Sequence, residues 1–417
     1  MKGWGAGNDS RQASHGPHAG LQTEVHHCKA TSSQALTPEY EFVVIGAGMA
    51  GSSVAANLAA HASVRLLEME DQPGYHSTGR SAAIFSEAYG NELVRAITRA
   101  GRAFFYFPPS DFTSIALVRP RQVLIIAHRG QELALQDFLT STGGAGGMLR
   151  SSVADAVSLC PVLRPSELVG AALTRDAADI EVHELHRGYL RRLKACRGSL
   201  STGTRVTGID RSESGWTIST TQGKVFARTI VNAAGAWAGE IARLAGAQNI
   251  GLRPLKRTAC LIRPNSDLAI GAWPMVLNVE EEFYLKPDAG MLLLSPADET
   301  RSDPCDAQAE DLDVATAVDH LERATTLRVD RIAHRWAGLR SFVEDQSPVL
   351  GYDELQPGFF WLAALGGYGI QTAPALGQIA AALALRRQIE GHLRDFDIDP
   401  TLMSPARLLH RREAKLL

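Results

Sequence analysis

The sequence predicts an α/β fold built on a parallel strand, helix, strand nucleotide clamp, and three observations predict it. An apolar run, Phe42-Val43-Val44-Ile45, ends in Gly46-Ala47-Gly48-Met49-Ala50-Gly51; a helical stretch follows over 50–60; a second apolar run over 64–67 ends in Glu68. In such a clamp the first glycine permits the strand-to-helix turn, the second lets backbone approach a pyrophosphate, and the third lets the helix pack closely on its strand. The helix amino terminus then offers free N–H groups and partial positive charge to the phosphates. Glu68 lies twenty residues beyond Gly48, where its carboxylate can accept hydrogen bonds from the hydroxyls of an adenosine ribose.

Bulk properties narrow the classes. The 417 residues can hold two or three cores, and 45% hydrophobic with 21% charged residues is ordinary for a globular protein. A net charge of −3 supplies no broad basic field for nucleic acid, and no nucleic-acid-reading motif is present. Cys28, Cys160, Cys196, Cys260 and Cys305 are odd in number and scattered, which fits reduced thiols in a cytoplasm and neither a disulfide framework nor a metal site. No apolar run approaches the roughly 18 residues of a membrane span. Residues 1–38 are rich in Gly, Ser, His, Gln and Thr without apolar period, and read as a disordered leader whose His15, His18, His26 and His27 could bind metal adventitiously. The basic carboxyl-terminal positions Arg407, Arg411, Arg412 and Lys415 read as a solvated tail, leaving peripheral membrane association open.

Along the chain, Glu68 and Met69 lead into a polar loop, Pro73 to Ala83, in which Ser77, Thr78, Arg80, Ser81, Ala82 and Ala83 can close over a pyrophosphate and sugar. A helix is expected between Gly90 and Phe107, strands over Leu117 to Ala127, and a helix over Glu181 to Cys196 with Asp179 as N-cap. Short strands are expected at Arg205 to Asp210, which includes Val206, at Gly215 to Thr220, and at Lys224 to Val231. The last runs into Ala234-Gly235-Ala236-Trp237, whose small residues before Trp237 would let a cofactor approach or equally let a helix pack. Ala259 to Ile262, and a hairpin from Phe283 to Lys286 returning through Met291 to Leu294, add strands; Pro304 to Thr326 reads as helical, and Phe359 to Ala364 as a buried strand.

After that strand comes Gly366-Gly367-Tyr368-Gly369-Ile370-Gln371-Thr372-Ala373-Pro374, opening an alanine-rich helix with Pro374 expected in its first turn. A glycine-dense loop feeding a helix amino terminus is a second site for negative charge, which a reduced flavin carries at its N1 and O2 edge. The two glycine clusters, about 320 residues apart, would hold opposite ends of one FAD.

These motifs, Gly46 to Gly51, Gly74 to Ala83, Val231 to Trp237, Phe283 to Met291, Trp336 to Phe342 and Gly366 to Thr372, resemble in this order the D-amino-acid-oxidase superfamily of FAD enzymes. The likeness runs from about Tyr40 to Arg407 and is nearest to the bacterial D-arginine dehydrogenases. It implies a Rossmann-like FAD-binding domain of the glutathione-reductase-like class, spanning 39–88, 179–250 and 330–417. A second, α+β substrate domain on a mixed antiparallel sheet would span 89–178 and 251–329. It also implies oxidation of the Cα–N bond of a D-amino acid to an imino acid, which water converts to a 2-oxo acid and ammonia.

By the same resemblance Arg340 forms a bidentate pair with the substrate carboxylate, Arg257 matches a second arginine, Tyr89 and Tyr284 line the substrate pocket, and Ser86 is a polar contact near the flavin. Val123 stands where the arginine enzyme has an acid for the cationic tail, and Ile84 where it has a histidine. Burying an unpaired guanidinium is costly, so apolar or uncharged D-amino acids are expected to be favoured over D-arginine and D-lysine. Arg340 with Tyr284 would equally serve a glycine or sarcosine oxidase or a 2-hydroxy-acid dehydrogenase of the same fold, and a flavin-binding subunit of an electron-transfer complex is a further alternative. The acceptor, oxygen or a quinone or dye, is left open.

Overall fold

The computed structural model describes residues 39–264 and 268–409. The leader expected over 1–38, with its histidines and Cys28, lies outside the described residues, as do Arg411, Arg412 and Lys415. Strand Tyr40–Ile45 sits within an eight-stranded sheet, parallel to Val64–Leu67 on one side and to the long strand Gly223–Asn232 on the other. Ser199–Ser201 extends the sheet beyond Val64–Leu67, also parallel. The second half of Gly223–Asn232 pairs in parallel with Phe359–Ala363, so the last sheet strand of the chain joins the first through one shared neighbour. Because strand side chains alternate, Phe42 and Val44 point into a helical layer, while Val43 and Ile45 point into a core closed by helix Ala238–Ala245. Strands buried on both faces explain the unbroken apolar runs that mark them in the sequence.

Helix Met49–Ala59 lies in that helical layer, packed between Val182–Ala195 and Gly369–Ala384. The approach to the last helix is close: a Cβ at Gly377 would come within 2.7 Å of the Ser53 hydroxyl. The clamp turn is equally tight. A Cβ at Gly51 would sit 1.8 Å from the Gly46 carbonyl, and Gly46 itself takes φ +100, a region that L side chains avoid.

A second eight-stranded sheet is antiparallel except where Met275–Asn278 runs parallel to Val123–His128. Here alternation separates two duties. Leu124, Ile126, Val276 and Leu285 pack under helix Asp311–Ala324, whereas Val123, Ile125, Met275 and Tyr284 occupy the opposite face. The expected mixed sheet and Rossmann-like layer are both present.

Several expected boundaries move. Strand Ile332–Phe342 pairs along its length with Arg253–Ile262 in the second sheet, so the expected border at 330 falls on the wrong side of it. Helix Glu92–Tyr106, expected with the substrate domain, packs on Gly369–Ala384 in the helical layer through Ile97 and Ala100. Asp179 is no N-cap: it lies on strand Ala178–Ile180, its carboxylate held by Arg121 and Lys286 at 2.8 and 2.9 Å. The helix expected over 304–326 begins only at Asp311. Pro374 sits at the sixth position of its helix, since the turn at Gly369 is already helical, and it leaves the carbonyl of Ile370 without its usual donor.

Replacing Gly377 with leucine should force the two helices apart. Urea unfolding of Gly377→Leu is expected to show a loss of about 1–3 kcal/mol relative to the parent.

Candidate active site

Two cavities meet in the protein. The first runs from the glycine clamp to the carboxyl-terminal glycine loop. Of the positions assigned to FAD from the sequence, it is lined by Gly46, Gly48, Met49, Ala50, Glu68, Met69, Ser77, Thr78, Arg80, Ser81, Ala82, Val206, Ala234, Gly235, Trp237, Gly366, Gly367, Gly369 and Ile370. At its front, Glu68 is buried, and its two carboxylate oxygens accept from the backbone N–H of Ala47 at 2.8 Å and of Glu70 at 3.0 Å. Each oxygen keeps a lone pair for a ribose hydroxyl. Burial raises the Glu68 pKa, and the two backbone donors and His76 counter only part of that rise.

The clamp helix is capped from outside itself. Gly48 has no side chain to cap it, and the Met49 N–H donates to the Thr78 hydroxyl at 2.9 Å; the first intrahelical bond runs from Ser52 N–H to the Gly48 carbonyl. The amide of Ala50, which lines the cavity, is left as a donor available to a phosphate. A Cβ at Gly235 would meet nothing within 4 Å, so the wall is open there for a ring or sugar to lie against it.

Other assigned positions have different duties. Gly51 serves helix packing, and Ala83 and Gln371 line the second cavity instead. The Gln371 amide accepts from the Ser86 N–H at 3.2 Å and donates to the Thr98 hydroxyl at 3.1 Å. Tyr368 and Thr372 line neither cavity: Tyr368 packs edge-on against Tyr89 and Phe342, and the Thr372 hydroxyl donates back to the Tyr368 carbonyl. Arg80 borders the first cavity, but its guanidinium is engaged by the carbonyls of Tyr75, Ala307 and Ala337 and the carboxylate of Asp306. It is a strut between the loop and the second sheet, not a phosphate ligand. With Ser77 donating to the Leu339 carbonyl and the Trp336 indole donating to the Arg80 carbonyl, it fastens the loop along strand Ile332–Phe342.

The second cavity shares Ser81, Ala82, Arg257, Tyr284, Arg340, Gly367 and Ile370 with the first. All five residues expected to do the chemistry, Tyr89, Tyr284, Arg340, Arg257 and Ser86, line it. Arg340 projects into this junction from strand Ile332–Phe342, and among the described residues its guanidinium makes one hydrogen bond, 3.4 Å from Nη1 to the Tyr89 hydroxyl. Burial opposes its charge, yet the Tyr89 and Tyr284 hydroxyls and the Glu281 carboxylate hold its pKa above the ordinary arginine value. Gly367 makes the space: a Cβ there would lie 3.0 Å from Arg340 Nη1. Tyr89 has its pKa raised, by burial first and with Arg340 opposing, so it remains a neutral phenol. Arg257 is committed on one side to Glu299 at 2.9 Å, while its buried Nε has no partner among the described residues.

Beyond the junction the wall is Ile84, Ala88, Val123, Ile125, Phe138, Met148, Met275 and Leu277. Both substitutions singled out in the sequence, Val123 and Ile84, therefore face the pocket. One acid was missed: Glu281 lines the same cavity from an exposed turn, with φ +56. No local sequence signal marked it, nor Phe138 and Met148: Phe138 comes from helix Glu132–Thr142 and Met148 from the turn after it, while Glu281 reaches the pocket from more than a hundred residues further on. Arg407, expected in a free tail, is paired with Asp345 at 3.0 Å.

Residues 41–383 match the family described as "DAO: FAD dependent oxidoreductase". The chain is 28% identical over 191 residues to FAD-dependent oxidoreductase domain-containing protein 1 of Bos taurus, covering 42% of this chain and 38% of that one. It is 26% identical over 240 residues to the glycine oxidase of Bacillus subtilis, covering 56% of this chain and 62% of that one. Both matches thus span less than two thirds of the relative. Among solved structures, L-proline dehydrogenase from P. horikoshii superposes with a TM-score of 0.77 at 20% identity, over 90% of this chain and 99% of the other, a likeness of fold. The chain belongs to the DAO family of FAD-dependent oxidoreductases.

Proposed function

We propose that the protein oxidises the Cα–N bond of a small, uncharged α-amino acid to the imine, which water converts to a 2-oxo acid and free amine. The observation that carries this reading is Arg340: a half-buried guanidinium at the junction of the two cavities, which among the described residues makes one long hydrogen bond and leaves its other donors unengaged. A carboxylate seated there would receive two parallel charge-assisted bonds, and the hydroxyls of Tyr89 and Tyr284 stand beside it. FAD, when bound in the first cavity, would supply the hydride acceptor. The chain's own part is to fix the carboxylate, to aim the α-carbon at the shared wall of the two cavities, and to exclude water with Ile84, Val123, Ile125 and Met275. Tyr89, kept protonated, orients by hydrogen bonding and takes no proton. Glu281 at the rim faces the amino group or cationic portion of an entering substrate.

Glycine oxidases among the relatives support a glycine- or sarcosine-type substrate over the D-arginine-dehydrogenase likeness. The apolar wall favours a second reading, a D-amino acid with an apolar side chain, because it offers more surface than glycine could cover. Both exclude a guanidinium from the Val123 wall, although Glu281 supplies one acid at the mouth.

Turnover of the isolated chain on glycine, sarcosine, apolar D-amino acids, D-arginine and 2-hydroxy acids, with a dye and with or without air, tests the proposal. A neutral amino acid should exceed D-arginine and every hydroxy acid by about tenfold or more. Preference for D-arginine or a hydroxy acid, or no turnover without a second subunit, would overturn it. Arg340→Met is expected to lower kcat/KM on the best amino acid about a hundredfold, the loss of two charge-assisted bonds, with flavin content retained.

Glu68 ties cofactor affinity to pH. Its pKa is raised in the folded protein, so the apoprotein gains stability from the protonated form at acid pH and loses it as pH climbs through the carboxylate range towards the raised value. Ribose hydroxyls need the ionised form as acceptor, so FAD affinity, read by flavin fluorescence, should weaken as pH falls through that value. Glu68→Gln should bind FAD more weakly at pH 8 and show no such titration.

A further inference from the structure

We infer that the loop 107–117 together with the outer face of helix Val182–Ala195 forms a docking surface for an anionic lipid bilayer. Phe107 is 83% exposed and Ile115 51%, the largest aromatic and the largest branched aliphatic exposure on this loop. The loop is held, not collapsed. Phe112, at its middle, is buried against Phe104 and Tyr189, with ring centroids 4.8 and 5.1 Å away. A Cβ at Gly188 would meet the Phe112 ring at 2.4 Å, so the glycine is what lets the loop seat on the helix. Arg191 donates to the Phe112 carbonyl at 2.7 Å. With its inner aromatic fixed, the loop presents the outer Phe107 and Ile115 to solvent.

The neighbouring helix supplies the charge. Leu185, His186, Gly188, Tyr189 and Leu193 are buried, and the exposed positions His183, Arg187, Arg191 and Lys194 fall four, four and three residues apart along one face, with Arg197 just beyond. The neighbouring acids are Glu184, paired with Arg191 at 2.5 Å, Glu181 at the helix N-cap, paired with Arg119 at 3.0 Å, and Asp111, exposed on the loop. A basic stripe on a protein of net charge −3 is a local departure from the whole. Exposed aromatic and aliphatic tips beside a row of arginines match a bilayer interface, where acyl chains take the tips and anionic headgroups meet the stripe. A second copy of the chain fits worse, since an isologous contact would set stripe against stripe.

The test is co-sedimentation of the full flavin-loaded chain with vesicles of phosphatidylcholine alone or mixed with phosphatidylglycerol, at low and high salt. Binding is expected to the anionic vesicles only, and to fall with salt. The double substitutions Phe107→Ser with Ile115→Ser, and Arg187→Glu with Lys194→Glu, should each weaken it at least about tenfold, while dye-coupled turnover with the best soluble substrate stays at the parental level and reports intact folding. Absence of binding to anionic vesicles at low salt, unchanged binding in both variants, or binding only to another protein or to a second copy would overturn the inference. None of these residues touches either cavity, so failure here leaves the proposed reaction standing.

Discussion

A half-buried arginine with no carboxylate partner among the described residues is the constraint on which the site turns. Taking a guanidinium even partly out of water is costly unless it is paired, and among the described residues Arg340 has a long bond to the Tyr89 hydroxyl and the more distant charge of Glu281 to offset that cost. The surroundings make sense as devices that hold this charge in place until an anion arrives. Gly367 withholds a side chain to leave it room, Tyr89 and Tyr284 lean their oxygens towards it, and the loop 77–80 is fastened to its strand by Ser77, Arg80 and the Trp336 indole. An arginine meant for structure alone would be expected to resemble Arg80, whose guanidinium is fully engaged by three carbonyls and a carboxylate.

The contrast between those two arginines also marks what the sequence can and cannot disclose. The clamp was legible because it is local: strand, glycines, helix and terminal acid occupy fewer than thirty consecutive residues, and their spacing carries the geometry. The second glycine loop was legible in position but not in the duty of each residue. Gly366, Gly367, Gly369 and Ile370 reach the first cavity, whereas Tyr368 and Thr372 turn inward, because a helix already under way at Gly369 rotates successive side chains by about 100°. Pro374 misled in the same manner, since its composition suits a first turn that in fact begins five residues earlier.

Domain borders were harder for a different reason. Strand Ile332–Phe342 belongs to the second sheet by pairing, yet it delivers Arg340 to the junction with the first cavity; helix Glu92–Tyr106 follows the pocket loop in sequence, yet it buries its apolar face on the last helix of the chain. Both elements serve two layers at once, and a linear division cannot express that. Glu281 was invisible for a related cause: an exposed glutamate among three is normally a solvated turn, and only the pairing of Met275–Asn278 with Val123–His128 brings that turn over the pocket.

The alternation of the second sheet separates the pocket face from the core face. Even-numbered residues of Val123–His128 build the core beneath helix Asp311–Ala324, and odd-numbered ones build the pocket wall, so a change of pocket chemistry there leaves the core face untouched. An acid in place of Val123 would face Arg340's cavity across an apolar gap, where it could hold a cationic tail; valine removes that option and leaves Glu281, at the solvent-facing rim, as the acid lining the same space. A charge at a rim is screened by water and discriminates weakly, while a charge on a dry wall discriminates strongly. On the proposed reaction, selectivity in this pocket would rest on apolar fit beside a fixed carboxylate, and small, uncharged amino acids would satisfy both demands at once.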